Sequence, residues 1–124
     1  QEMLGVDQPD YAPVLSSMVY PDGQDIDLSR YIAPKVEAEI ALVLDAPLRG
    51  PGVTPMQAWR ALGGAVAAIE MVDSRIADWR IGLVDTIADL ASSGATVLGT
   101  RVVPPDGSEP RLTGMVVSRN GATA

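Results

Sequence analysis

Two glutamates lie two residues apart in one segment, where their carboxylates could share a ligand. Glu37 and Glu39 belong to the stretch Lys35–Leu44, which alternates with period two. In a strand, residues i and i+2 point to the same face, roughly 7 Å apart along the chain. Like charges at this spacing repel each other, so we expect a positive group beside them. A solvated strand face is the ordinary alternative, but Ala41 and Val43 continue this face with apolar side chains.

A third glutamate stands inside an apolar run. Glu70 interrupts the otherwise uncharged segment Ala65–Val72, and an unpaired carboxylate buried there would cost free energy. A divalent cation shared by Glu37, Glu39 and Glu70 would compensate both the repulsion and the burial. Carboxylate oxygens are ligands that suit Mg²⁺ or Mn²⁺. The sequence therefore predicts an oxygen-ligated metal site.

The composition excludes several other kinds of site. The chain has 124 residues and contains neither Cys nor His, so it cannot itself form a serine–histidine triad, a cysteine nucleophile, a disulfide or a Cys/His zinc site. Its 9 basic and 16 acidic residues leave a net charge of −7, which disfavours nucleic-acid binding. No apolar run reaches the ~18 residues of a membrane helix. The first residues lack the pattern of a signal peptide, and we expect a cytoplasmic protein.

Periodicity and capping predict the elements that must position the carboxylates. Lys35–Leu44 is predicted to be a strand. A helix start is indicated by three capping signals close together, namely Thr54, Pro55 and Gln57. This helix is predicted to run to Leu62 and to stop at Gly63-Gly64. Ala65–Val72 is then predicted to be a buried strand.

The rest of the chain is predicted to form short elements. Spacings of three and four favour a helix or helical turns over five apolar residues, namely Ile76, Trp79, Leu83, Ile87 and Leu90. Further strands are predicted at Val14–Tyr20, Thr96–Val103 and Leu112–Arg119. Asn120-Gly121 is a strong hairpin signal, and three residues follow it. We therefore expect a central part of a longer protein, incomplete at both ends.

Four segments stand in an order and spacing shared by a known family: Leu4–Tyr11, Pro34–Ala41, Ile69–Trp79 and Val84–Asp89. Together they resemble the 2-keto-4-pentenoate hydratase and 4-oxalocrotonate decarboxylase group of the fumarylacetoacetate hydrolase superfamily. The resemblance implies an α+β, mainly β fold of the mixed β-roll type. It also implies that residues 1–124 are the central part of a single catalytic domain.

The resemblance implies roles for several acidic residues. Glu37, Glu39 and Glu70 match the family's metal ligands, which is the set that the charge pattern predicts on its own. Asp10 matches an acidic residue that transfers protons in the family. The alternative for Asp10 is a turn-capping aspartate after Pro9.

Four further residues receive a role from the resemblance. Ser92 and Ser93 match a segment that lines the substrate carboxylate site, although an isolated Ser-Ser-Gly is typical of a turn. Asp73 and Arg75 are interpreted as groups that orient Glu70, with a plain surface ion pair as the alternative.

The chain departs from the family pattern in two places. Leu90 stands where relatives carry an asparagine, so any polar contact made there is lost. The family's catalytic lysine belongs to a segment upstream of Gln1, and Lys35 is not its substitute because relatives carry either Lys or Arg at that position. We therefore expect these 124 residues alone to be inactive.

The implied activity is hydration of 2-hydroxypenta-2,4-dienoate (2-keto-4-pentenoate) to 4-hydroxy-2-oxopentanoate in aromatic meta-cleavage degradation. Two alternatives remain open, namely 4-oxalocrotonate decarboxylation and a non-catalytic partner subunit or inactive fragment. The family also implies a homo-oligomer or a hydratase–decarboxylase complex. An intact lysine segment upstream in the reading frame would favour an enzyme, and its absence would favour a scaffold.

Overall fold

The computed structural model describes residues 9–107 and 112–124. Its contacts divide the chain into two compact units, Gln1–Glu37 with Ile69–Leu98 and Ala38–Ala68 with Gly99–Ala124. Most of the motif Leu4–Tyr11 lies outside the described residues. Within the described ranges, no helix combines the length and the apolar character that a membrane crossing requires.

The described elements make the chain mainly β with short helices, as the resemblance to the family implied. The strands are β1 (Val19–Pro21), β2 (Lys35–Leu44), β3 (Leu62–Val72), β4 (Ser93–Leu98), β5 (Ser118–Arg119) and β6 (Ala122–Thr123), and the helices are α1 (Pro55–Ala61) and α2 (Leu83–Ala88). One sheet has the strand order β1-β4-β3-β2, and β5 pairs with β6. Strand β1 runs parallel to β4, with Val19 opposite Thr96.

Strand β2 has the bounds that its period-two pattern predicted. It stands at one end of the sheet order, and none of its residues is fully buried. A strand with one free edge and partly exposed faces alternates in sequence, whereas a doubly covered strand reads as a continuous apolar run. This position explains why the strand was readable from sequence.

The start of α1 follows the predicted capping box. The Thr54 hydroxyl accepts a hydrogen bond from the Gln57 backbone N–H at 3.3 Å, and the Gln57 side chain accepts one from the Thr54 backbone N–H at 2.8 Å. The helix ends at Ala61, and β3 begins at the next residue. The reciprocal cap satisfies two helix N–H groups that otherwise have no partner.

The prediction that Gly63-Gly64 stops this helix was wrong, because both glycines lie within β3. Their role is to allow a close approach of neighbouring chain. A Cβ on Gly64 would lie 2.5 Å from a side-chain carbon of Val102 and 2.8 Å from the carbonyl oxygen of Val103. The backbone N–H of Ala65 donates to that same carbonyl at 2.8 Å.

The segment between β3 and β4 is more irregular than its apolar spacing indicated. It contains a 3-10 turn at Ala77–Trp79, helix α2 and a second 3-10 turn at Leu90–Ser92. The second turn has three consecutive non-glycine residues with φ of +55°, in the left-handed region that costs about 1–2 kcal/mol per residue. Tertiary contacts described below hold this conformation.

Three other strands differ from the prediction in length. Val14–Tyr20 contains a 3-10 turn at Ser16–Met18, and β1 starts only at Val19. Thr96–Val103 is replaced by β4, which ends at Leu98, followed by an isolated bridge from Val103 to Ala65. Of Leu112–Arg119, only Ser118–Arg119 is a strand. The Asn120-Gly121 hairpin is confirmed, with φ of +53° and +82°.

The buried residues form an apolar group and a polar group. The buried apolar side chains lie in α1, β3 and β4, and are Ala61, Val66, Ala68, Met71, Val72 and Ala95. The buried polar side chains all belong to the unit Gln1–Glu37 with Ile69–Leu98, and are Asp73, Ser74, Thr86, Ser92 and Ser93. Buried polar groups must be hydrogen-bonded or lose free energy, so this unit is the place to look for a site.

Candidate active site

Strands β2 and β3 bring the three predicted glutamates together. One carboxylate oxygen from each of Glu37, Glu39 and Glu70 lies within 4.8 Å of the other two. The first two share a face of β2 by alternation, and Glu70 lies on β3, the neighbouring strand in the sheet. Glu37 and Glu39 are exposed, whereas Glu70 is half-buried.

This cluster fits a hard divalent cation. Three points no more than 4.8 Å apart lie within about 2.8 Å of a common point, a few tenths of an ångström beyond the roughly 2.3–2.6 Å of Ca²⁺–oxygen bonds. Mg²⁺ needs about 2.0–2.1 Å and therefore a slightly larger side-chain adjustment. The all-oxygen donor set excludes soft thiolate chemistry and suits Mg²⁺, Mn²⁺ or Ca²⁺.

Asp10 contacts the first turn of α2. Its Oδ2 accepts a hydrogen bond from the Thr86 hydroxyl at 3.2 Å, across 76 residues of sequence. The Thr86 oxygen also lies 3.4 Å from the Ser92 hydroxyl. Asp10 is half-buried, while Thr86 and Ser92 are 1% and 4% exposed. A carboxylate and two hydroxyls thus form a connected polar chain.

Asp73 anchors the backbone that leads into β2. Its carboxylate accepts hydrogen bonds from the backbone N–H groups of Ile32 at 3.0 Å and Ala33 at 2.7 Å, and the residue is 2% exposed. Two N–H donors compensate the burial of the charge. Asp73 therefore fixes the backbone just before the strand that carries Glu37 and Glu39.

Arg75 holds the left-handed turn at Leu90–Ser92. Its Nε forms an ion pair with Asp89 at 2.5 Å. Its Nη1 donates to the carbonyls of Asp73 at 2.8 Å and Ser93 at 3.0 Å, and its Nη2 donates to the Asp89 carbonyl. The planar guanidinium can make several such bonds in a fixed geometry. Arg75 thus ties both ends of the turn to the end of β3.

The two predicted serines differ in their partners. Ser92 faces Thr86, and its carbonyl accepts the backbone N–H of Asp73 at 2.8 Å. The Ser93 hydroxyl is buried and has no hydrogen-bond partner among the described residues. A buried hydroxyl without a partner costs free energy, so Ser93 offers a donor that a ligand or water would satisfy.

Sequence reasoning missed Thr86, Asp89 and the environment of Trp79. Thr86 lies three residues after Leu83 and one before Ile87, on the apolar stripe of the predicted helix. A polar residue on this apolar stripe was the signal that could have singled out Thr86. Lys35 Nζ lies 4.0 Å from the centre of the Trp79 ring, a cation–π contact that no spacing in the sequence indicated.

Tyr31, which lies shortly before β2 in the chain, has a raised pKa. Burial, followed by the hydrogen bond with Tyr20, raises the pKa of the Tyr31 hydroxyl above its ordinary value. The Tyr31 ring also lies 3.2 Å from the position a Cβ on Gly94 would take. The Tyr31 ring thus packs over β4.

A separate cavity of about 300 Å³ lies in the unit Ala38–Ala68 with Gly99–Ala124. Its walls are mostly apolar and include Ile40, Leu42, Trp59, Val103, Pro104 and Pro105. Ile40 and Leu42 belong to the face of β2 opposite Glu37 and Glu39 by alternation. This cavity is therefore not part of the carboxylate cluster.

Residues 6–124 match the family model described as fumarylacetoacetate (FAA) hydrolase C-terminal. A 2-keto-4-pentenoate hydratase of Paraburkholderia xenovorans is 46% identical over 121 residues, which are 98% of this chain and 45% of the relative. A 2-keto-4-pentenoate hydratase of Burkholderia vietnamiensis is 53% identical over 103 residues, which are 83% of this chain and 39% of the relative. The chain thus spans less than half the length of these relatives.

A solved structure has the same fold. The 4-oxalocrotonate decarboxylase from Pseudomonas putida G7, complexed with magnesium and adipate, matches with a TM-score of 0.87 and 32% identity. The match covers 99% of this chain and 47% of that one. The same decarboxylase complexed with calcium and acetate matches with a TM-score of 0.85. By fold and by sequence, the chain belongs to the fumarylacetoacetate hydrolase family.

Proposed function

We propose that the protein containing this chain hydrates 2-hydroxypenta-2,4-dienoate to 4-hydroxy-2-oxopentanoate in aromatic meta-cleavage degradation. The observation that carries the proposal is the convergence of Glu37, Glu39 and Glu70 in a chain that is 46% and 53% identical to two 2-keto-4-pentenoate hydratases. The three glutamates would hold Mg²⁺ or Mn²⁺, and the active protein would be a homo-oligomer or part of a hydratase–decarboxylase complex.

The glutamates suit this role because sheet strands hold them. Ligands on strands are more precisely positioned than ligands on loops, and Asp73 fixes the start of β2 through Ile32 and Ala33. When bound, the cation would supply Lewis-acid stabilisation of negative charge on substrate oxygen.

The hydration requires several proton transfers. Relative to the dienol, C5 and C3 each gain a proton, C4 gains a hydroxyl, and the C2 hydroxyl loses its proton as the ketone forms, so one water is added in total. Asp10 is the side chain of this chain that we assign to proton transfer. It is half-buried and already hydrogen-bonded by Thr86, which suits a group held in one orientation.

The substrate carboxylate needs hydrogen-bond donors. Ser93 is the better candidate of the two serines, because its buried hydroxyl has no partner among the described residues. The Ser92 hydroxyl already lies within reach of Thr86. We therefore assign carboxylate binding first to Ser93, with Ser92 supporting the local geometry.

Decarboxylation of 4-oxalocrotonate is the second candidate. The similarity to the 4-oxalocrotonate decarboxylase structure, with a TM-score of 0.87, supports it. Its 32% identity to this chain is below the 46% of the Paraburkholderia hydratase, and for this reason we place hydration first. A non-catalytic partner subunit is the remaining alternative.

The test uses the protein made from the full reading frame that encodes this chain. It is incubated with 2-hydroxypenta-2,4-dienoate and, separately, with 2-oxo-3-hexenedioate, in Mg²⁺ and in Mn²⁺. We expect loss of the dienol and formation of 4-hydroxy-2-oxopentanoate. CO₂ release from 2-oxo-3-hexenedioate without hydration of the dienol would show that the protein is a decarboxylase and not a hydratase. Turnover of neither compound would support a partner subunit.

A further inference from the structure

Helix α2 buries a polar side chain and exposes apolar ones. Thr86 is 1% exposed and is the buried residue of this helix, whereas Val84 is 79% and Ile87 is 38% exposed. A hydroxyl buried to this degree loses free energy unless it is hydrogen-bonded. The hydrogen-bond partners of Thr86 therefore decide what its burial achieves.

The hydrogen bonds of Thr86 have a defined direction. A hydroxyl carries one proton, and Thr86 donates it to Asp10 Oδ2 at 3.2 Å. The contact at 3.4 Å between Thr86 and Ser92 is then a bond in which Ser92 donates and Thr86 accepts. Both hydroxyls therefore direct their protons toward the carboxylate.

Several contacts hold the Ser92 end of this series of hydrogen bonds. Ser92 ends the left-handed turn, and Arg75 ties that turn to Asp89 and to the carbonyls of Asp73 and Ser93. A strained backbone persists only where its surroundings determine it strongly, and such strain concentrates at functional sites. The turn thus supplies a fixed support for the Thr86 oxygen.

We propose that Thr86 is the positioning residue for Asp10. The Thr86 hydroxyl fixes Oδ2, and Oδ1 is the oxygen that we assign to proton exchange with substrate. In this role Thr86 acts through Asp10, and we assign it no contact with substrate or metal. This inference rests on the proposed function, since it assigns Asp10 to proton transfer.

The test compares two substitutions that remove different parts of the side chain. Thr86→Val keeps the shape and loses the hydroxyl, and Thr86→Ser keeps the hydroxyl and loses a methyl group. In the full-reading-frame protein with 2-hydroxypenta-2,4-dienoate and Mn²⁺, we expect Thr86→Val to lower kcat roughly 10- to 100-fold with KM changed less than about twofold. Thr86→Ser should keep kcat within about threefold of wild type.

A packing role predicts the reverse order. If Thr86 only fills space, Thr86→Val should keep the kcat and melting temperature of wild type. Thr86→Ser should then have the lower melting temperature of the two variants. Thr100→Val, at an exposed loop position, is the matched control and should leave kcat unchanged. In an Asp10→Asn background, adding Thr86→Val should lower kcat no further, because coupled residues are not additive.

Failure of the inference is distinguishable from failure of the function. Wild-type turnover with an equal kcat for Thr86→Val would overturn the positioning role alone. An additive loss in the Asp10→Asn background would also overturn it. No turnover by wild type on either the dienol or the dicarboxylate would overturn the proposed function and the inference together.

Discussion

The carboxylate of Glu39 lies where the charges of two other glutamates repel it. It is exposed and lies within 4.8 Å of the carboxylates of Glu37 and Glu70, so three like charges share a small volume. Such a group is unfavourable without a counter-charge. The Lys35 ammonium lies over the Trp79 ring at 4.0 Å, where it makes a cation–π contact.

Glu39→Gln should separate stability from metal binding. The substitution keeps the shape and removes one charge, so the apo protein should be as stable as wild type or slightly more stable. Divalent metal should raise its melting temperature less than that of wild type, and turnover should fall by about 100-fold or more. Calorimetric metal titration and the hydratase assay measure the two effects.

Asp25→Asn is the control, because it removes an exposed acidic charge elsewhere and should change neither quantity. An unchanged metal response and unchanged turnover in Glu39→Gln would mean that Glu39 is an ordinary solvated strand residue. The metal assignment of β2 would then be wrong.

Close packing around β4 positions Ser92 and Ser93. A Cβ on Gly94 would lie 3.0 Å from the Met71 carbonyl oxygen, 3.2 Å from the Tyr31 ring and 3.3 Å from the Asp73 Cβ. A Cβ at these distances would be tighter than usual, so the atoms around it would have to move by a few tenths of an ångström. This close packing sets Ser92 and Ser93 beside the residues that follow Glu70.

Gly94→Ala should therefore destabilise the protein. The extra methyl group meets backbone and ring atoms that cannot move independently, and overpacking of this kind costs about 1–3 kcal/mol. Gly114→Ala is the matched control, because nothing lies within 4 Å of its Cβ position. Urea unfolding of the two variants should show a lower midpoint for Gly94→Ala only, and equal midpoints would contradict the packing described here.

Metal binding at the three glutamates should stabilise the folded protein. A ligand that binds only the folded state stabilises it by mass action, about 2.7 kcal/mol at 100 times the dissociation constant. Full-reading-frame protein treated with a chelator should melt at a lower temperature and recover when Mn²⁺ or Mg²⁺ is added. Differential scanning calorimetry measures the shift.

The same titration on Glu39→Gln separates the specific site from general ion effects. A shift of equal size in both proteins would show that the metal does not bind through the three glutamates. Recovery with Ca²⁺ as well as Mg²⁺ would match the two metals present in the similar decarboxylase structures.

Features that depend on neighbouring residues along the chain could be predicted from the sequence. Period-two alternation marked β2 with its observed bounds, Thr54 and Gln57 marked the start of α1, and Asn120-Gly121 marked the hairpin. Each depends on residues within a few positions of each other. The glutamate set was also readable, because a lone charge in an apolar run demands a partner.

Features that depend on residues far apart in the sequence could not be predicted and are seen only in the folded chain. Gly63-Gly64 lies in β3 because the chain near Val103 approaches it closely, and the left-handed turn exists because Arg75 binds both of its ends. The contact of Asp10 with Thr86 spans 76 residues. Local spacing carries no information on such contacts, because they form only when the free energy of packing exceeds the cost of the local conformation.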